Sequence, residues 1–158
     1  MTTVVLTWDE VHMAGQAAAK RALDNIKAGR IDRYGAEGLG ADYHLKGCLG
    51  EMAVAKYRGI YWRPHEFGIT DVGHIQVRAT GYYPKGKLCL HEDDKDEQPF
   101  VSAVVIASKL PKICLQGWIW AGDGKKQEWW GEVNPAKPNG RPAYWVPVDD
   151  LLPMRELP

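Results

Sequence analysis

The sequence predicts an α/β (α+β) fold, and two observations carry that expectation. Up to about residue 58 apolar residues recur at helical spacing, and from Ile60 onward the pattern shifts to short β-branched runs separated by Gly and Pro turns. With 158 residues the chain lies within the usual ~100–200 residues of one domain, so a single domain over residues 1–158 is expected.

The first element opens at Thr7-Trp8-Asp9-Glu10, a capping-box pattern, and runs through an Ala-rich stretch to Ala28 before Gly29. Residues 29–42 carry four glycines with mixed charge and read as a loop, whose Arg30 and Arg33 are either solvated charge or phosphate contacts. A second helix is predicted over Tyr43–Tyr57, because Leu45, Cys48, Leu49, Met52, Ala53 and Ala55 share helical spacing and Gly59 stops them.

Strands are then expected at Ile60–Trp62, His74–Thr80 and Lys87–Leu90, with turns near Val72-Gly73 and Pro84-Lys85-Gly86. The acidic run His91–Gln98 reads as an exposed turn. Phe100–Ser108 and Lys112–Ala121 are apolar enough for central strands joined at Leu110-Pro111, and Ala143–Val148 supplies one more short strand after an irregular segment.

Composition narrows the function. Twenty basic and twenty acidic residues cancel, so no global field draws the chain to nucleic acid or to a membrane surface, and any DNA contact has to come from a local patch. No apolar run reaches the ~18 residues of a membrane span and the N-terminus lacks the layout of a secretory signal, so a soluble, cytoplasmic protein is expected. Cys48, Cys89 and Cys114 are widely spaced and read as reduced core thiols.

Chemistry is suggested by a few polar residues in otherwise apolar elements. Glu51 interrupts the apolar second helix; Asp71 precedes a tight turn; Gln76 and Arg78 alternate along the following strand and so share a face, with Asp71 expected alongside. Hydrolysing a phosphodiester needs carboxylates converging from separate elements to hold hard cations near the phosphate. The bland alternatives are Glu51 paired with Lys56 or Arg58, and Asp71 capping the turn before Gly73.

The pattern Gly47-Cys48-Leu49-Gly50-Glu51-Met52-Ala53-Val54-Ala55-Lys56, followed by Asp71 and Gln76-Val77-Arg78, resembles the PD-(D/E)XK nuclease superfamily as found in small phage and prophage proteins. The resemblance implies a restriction-endonuclease-like fold, a mixed sheet flanked by helices. It also implies a metal-dependent nuclease using Mg²⁺ (or Mn²⁺), with Glu51, Asp71, Gln76 and the Val77 carbonyl around the ion. Glu51, Asp71, Gln76 and Arg78 would form the catalytic set, with DNA as the expected substrate and a bacterial host cell as the expected setting if the chain is phage-encoded.

Two departures qualify that pattern. Arg78 occupies the place of a lysine, and a guanidinium keeps its proton at ordinary pH, so it can stabilise charge but hardly act as a base. This leaves a variant in which metal-bound hydroxide suffices, a migrated lysine (Lys56, Lys85 or Lys87), or a protein that binds nucleic acid or a host protein without cutting. The helix that usually follows the lysine strand has no counterpart in the pattern of residues 81–99.

His44, seven residues before Glu51 and so on nearly the same helical face, is a candidate phosphate contact with Lys56, Lys85 and Lys87. Tryptophans such as Trp118, Trp129, Trp130 and Trp145, with Lys125, Lys126 and Lys137 nearby, could stack bases, though core and sheet packing explains most of them. A second copy of the chain is a further candidate partner.

Overall fold

The structure, a computed structural model, describes residues 1–29, 41–64, 70–82, 86–131 and 142–158. Arg30, Arg33, His65, Lys85 and Lys137, together with the turn at Pro84-Lys85, lie outside the described residues. The fold is α+β, as the sequence predicts: two long helices, a mixed four-stranded sheet and a small antiparallel sheet.

The chain begins with a strand that the sequence reading passed over, β1 (Thr2–Val5), and continues into α1 (Trp8–Lys27). Thr7 caps α1 as expected: its Oγ1 accepts the Glu10 N–H at 3.1 Å, and Glu10 Oε2 accepts the Thr7 N–H at 2.6 Å. The second helix, α2 (Ala41–Arg58), starts two residues earlier than its apolar pattern predicts. It ends in a Schellman arrangement, in which Gly59 at φ +65° lets Ile60 N–H reach the Ala55 carbonyl at 2.9 Å and Gly59 N–H reach that of Lys56 at 3.2 Å.

Ile60–Trp62 is not a strand. No partner strand lies alongside this stretch among the described residues; Trp62 instead turns inward and is 6% exposed. The next strands are β2 (Gln76–Thr80), β3 (Leu88–Leu90), β4 (Pro99–Val104) and β5 (Lys112–Trp120), each shorter than or equal to its apolar run. A four-residue helix, α3 (Ala121–Gly124), and the strands β6 (Trp130–Gly131) and β7 (Ala143–Val146) complete the order.

The main sheet runs β1-β5-β4-β2, antiparallel except for the parallel pair β2/β4, in register Gln76↔Phe100 through Thr80↔Val104. β2 is therefore an edge strand. The crossover from β2 to β4 contains β3 and, among the described residues, no helix. β3 pairs instead with β7 in the second sheet, ordered β3-β7-β6.

Helices pack on one face of the main sheet and the small sheet on the other. On the helix side Leu49, Ala53 and Val54 meet Val77, Val101, Ala103, Ile113 and Leu115, with the alanines of α1 behind them. On the opposite side Phe100 and Ile119 meet Leu88, Leu90 and Val146. Gly50 sets the distance between α2 and the sheet, since a Cβ there would stand 3.2 Å from Ala103 Cβ and 3.3 Å from both Ala79 Cβ and Val77 Cγ1. Gly50→Val is expected to overpack this contact and to cost about 2 kcal/mol, measured as a lower urea midpoint at unchanged m-value.

Candidate functional site

The two long helices meet along an antiparallel seam of polar pairs. Lys56 Nζ reaches Glu10 Oε2 at 2.7 Å, Arg21 grips Glu51, and Asn25 Nδ2 lies 3.3 Å from His44 Nε2. The seam decides the fate of three sequence-predicted residues. Lys56 is committed to Glu10, and His44 joins the helices to each other, so neither faces the proposed phosphate site. The Lys56 and Arg58 pairings considered for Glu51 are not formed, because Arg58 donates to the Leu157 carbonyl at 2.9 Å.

Glu51 is 4% exposed and held by three donors. Arg21 donates to Oε1 from Nη1 at 2.7 Å and to Oε2 from Nη2 at 2.8 Å, and Trp62 Nε1–H donates to Oε2 at 3.0 Å. Arg21 Nε–H also donates to the Pro64 carbonyl at 3.0 Å. A parallel two-pronged guanidinium pair of this kind is among the strongest polar contacts a protein makes. Burial alone would lower the pKa of Arg21, but the Glu51 carboxylate outweighs it and the net direction is upward. Beside them the fully buried Cys48 thiol is pushed up to about 12, first by burial and then by the charges of Glu51 and Asp71, against the pull of Arg21. It stays protonated and inert.

Asp71 enters from the other side of the open sheet edge. The turn after it closes through a pair of hydrogen bonds, Val72 N–H to the Ile75 carbonyl at 3.0 Å and Ile75 N–H to the Val72 carbonyl at 2.9 Å, with Gly73 at φ +60°. Asp71 is not the cap of that turn. It reaches across it, and its Oδ2 accepts the Val77 N–H at 2.7 Å. That bond fixes the direction of a second group. In a strand the N–H and C=O of one residue project to the same edge, so the Val77 carbonyl also points away from β4 and lies on the Asp71 side.

Gln76 and Arg78 share a face of β2, as alternation requires, but it is not the face of Glu51. Val77 and Ala79 point to Gly50 on α2, so Gln76 and Arg78 point to the far side of the sheet. There Arg78 lies over the Phe100 ring, 4.9 Å from its centroid, and its Nη2 donates to Asp94 Oδ1 at 3.1 Å. The expected arrangement of Asp71, Gln76 and Arg78 on one face is thus corrected: Asp71 stands at the edge between two faces. Its electrostatics agree with that placement. Burial first and the Glu51 charge second raise the Asp71 pKa to about 6, while the Val77 N–H, Arg78 and Arg21 pull it down.

The acidic run behaves differently from a plain exposed turn. Asp94 is turned inward to accept Arg78 and, at 2.8 Å, the His91 N–H. Lys125 clasps the loop, donating to the Glu92 carbonyl at 3.0 Å, to the Asp94 carbonyl and to Asp96 Oδ1 at 2.8 Å. Lys125 is thereby occupied. The tryptophans mostly pack: Trp118 against Trp120 at 5.4 Å, Trp130 against Tyr144 at 4.8 Å, with Lys126 over Trp129 at 4.3 Å. Lys87 is exposed just before β3, in the second sheet rather than beside Glu51.

Arg21, Trp62 and Asp94 were missed in the sequence. Arg21 carried a signal, since it falls on the inward stripe of α1 with Ala14, Ala17, Ala18 and Ala22, where a lone guanidinium needs a buried acid. Trp62 and Asp94 carried none at short range.

Among the described residues no three His, Cys, Asp or Glu side chains gather as a ready-made metal cluster, and no helix is long and apolar enough to cross a membrane. At the β2 edge the site offers the Asp71 carboxylate and the Val77 carbonyl; the Glu51 carboxylate acts on Asp71 by its charge but is held by three donors, and the Gln76 amide faces the other side of the sheet. Oxygen-only donors of this kind fit a hard divalent cation such as Mg²⁺. The chain matches no protein-family model, no curated protein and no solved structure.

Proposed function

We propose that the protein is a metal-dependent nuclease of the PD-(D/E)XK kind acting on DNA inside the cell, with its site at the open edge of β2. The observation that carries the reading is the Asp71 bond to the Val77 N–H, which fixes a half-buried carboxylate at the β2 edge to which the Val77 carbonyl also points. The raised Asp71 pKa supports it, because burial and the Glu51 charge outweigh the Val77 N–H and the two guanidiniums of Arg78 and Arg21, an environment that gains from a cation.

Asp71 and the Val77 carbonyl would hold Mg²⁺ or Mn²⁺, with Glu51 contributing from the helix side; Gln76, on the opposite face of β2, is not placed to share the ion with Glu51. A bound divalent ion there would supply charge neutralisation at the scissile phosphate. Arg78 would contribute fixed positive charge, which already acts on Asp71 across the strand edge. It is no base; Lys56 is paired with Glu10, and Lys87 precedes β3 in the second sheet.

A second reading is favoured by the buried Arg21–Glu51 pair, which occupies most of the carboxylate's acceptor sites. A chain that keeps this pair would bind nucleic acid or a host protein without cutting it.

Calorimetric titration with Mg²⁺ and Mn²⁺ of wild type and Asp71→Ala, followed by incubation with single- and double-stranded DNA, separates the two. The nuclease reading expects binding heat and cleavage in wild type and neither in Asp71→Ala, with the circular dichroism of the variant unchanged. Wild type that binds no divalent ion and leaves both DNAs intact would leave the binding reading.

A further inference from the structure

A pocket of 320 Å³ opens beside Asp71, between the stretch that leaves α2 and the turn that enters β2. Ile60, Tyr61, Arg63, Thr70 and Gly73 are among its lining residues. Its size is at the small end of the ~300–1,000 Å³ typical of ligand pockets, room for about one nucleoside.

Tyr61 is the unusual member. It is 81% exposed, although its neighbour Trp62 is 6% exposed and the backbone around it is pinned on both sides. Ile60 N–H is bonded to the Ala55 carbonyl, Trp62 Nε1–H to Glu51, and the Pro64 carbonyl to Arg21. An aromatic ring left in water on a fixed backbone loses little chain entropy when something stacks on it. The same bonds tie the stretch to Glu51, so the ring keeps a set relation to the proposed cation site.

We propose that this pocket takes one unstacked nucleotide of a single-stranded DNA or RNA, its base against the Tyr61 ring and its backbone running past Arg63 toward Asp71. The inference rests on the nucleic-acid reading of the same site and adds the substrate class: a single strand or a frayed end. In an intact duplex both faces of a base are already stacked, whereas an aromatic platform accepts any free base face.

The test is fluorescence anisotropy of the full chain in EDTA, which prevents cleavage, with labelled oligothymidylate, oligouridylate and a duplex of matched charge. Tyr61→Ala is expected to weaken binding of one or both single strands by about 5- to 100-fold while Tyr61→Phe binds as wild type does. The duplex should be little affected by either change. The proposal is overturned if wild type prefers the duplex, if Tyr61→Ala has no effect, or if Tyr61→Phe loses as much as Tyr61→Ala.

The outcome is separable from the nuclease test. Duplex cleavage that depends on Asp71 but not on Tyr61 would overturn the single-strand pocket and keep the nuclease. Tyr61-dependent binding without metal-dependent cleavage would do the reverse.

Discussion

Arg21→Ala is expected to lower the free energy of unfolding by about 3–5 kcal/mol, the cost of leaving one member of a buried ion pair uncompensated. Glu51 is 4% exposed and sits under α1, so water cannot replace the two guanidinium bonds, and the Trp62 indole is the only donor left to it among the described residues. Urea unfolding at pH 7.5 measures the loss. Arg21→Met combined with Glu51→Leu should recover most of it, because replacing both members by apolar groups removes the orphaned charge. A loss under about 1 kcal/mol in the single variant would mean that the pair is solvated and behaves as a surface salt bridge. If the site binds a divalent ion, Mg²⁺ should stabilise Arg21→Ala more than wild type, because the ion no longer competes with the guanidinium for Glu51.

The seam that holds Arg21 also shows why the fold was more legible than the site. α1 declared itself by a local device, the reciprocal Thr7–Glu10 cap, and α2 by apolar spacing and the Gly59 stop, all features that a few consecutive residues determine. β4 and β5 were visible because they are largely buried on both faces and therefore mostly apolar, Ser102 and Gln116 satisfying each other within them. The misses have the opposite character. β1 is four residues long and gains its strand state only by pairing Thr2–Val5 with Lys112–Leu115, more than a hundred residues away. β3 and β7 were legible as strands, but nothing within either says that they pair with each other across the Phe100 side.

For the site, Asp71 lies near enough to Glu51 and Arg78 for their charges to act on it, but the sides from which they do so could not be read. Alternation along β2 places Gln76 with Arg78 and leaves open which face α2 covers. In the structure Gly50 lies against Val77 and Ala79, so theirs is the covered face. Arg78 then falls beside Asp94, which the acidic character of residues 91–98 had suggested was in solvent. The alternative to a metal for Glu51 was a cation on its own helix; the cation it pairs with is on α1, thirty residues earlier in the chain.

Asp71→Asn is expected to stabilise the protein at neutral pH in buffer free of divalent ions, by up to about 3 kcal/mol. The pKa of Asp71 is raised from 3.8 to about 6, chiefly by burial and then by Glu51, so the folded state binds its proton more tightly than the unfolded chain does. The sign follows from linkage: the contribution is fully present below about pH 3.8, declines as pH rises, and is gone above about 6, where the ionised carboxylate is carried at a cost. Asparagine keeps an acceptor for the Val77 N–H and removes the charge, so the difference in unfolding free energy between variant and wild type should grow from pH 4 to pH 6 and then level off. Urea midpoints across that range check it, and taking the difference cancels the titration of the other carboxylates. A flat difference would place Asp71 in water. A rising one would identify a carboxylate that the fold maintains at a loss, as is common where a charge is kept for a ligand rather than for stability, and adding Mg²⁺ should then stabilise wild type alone.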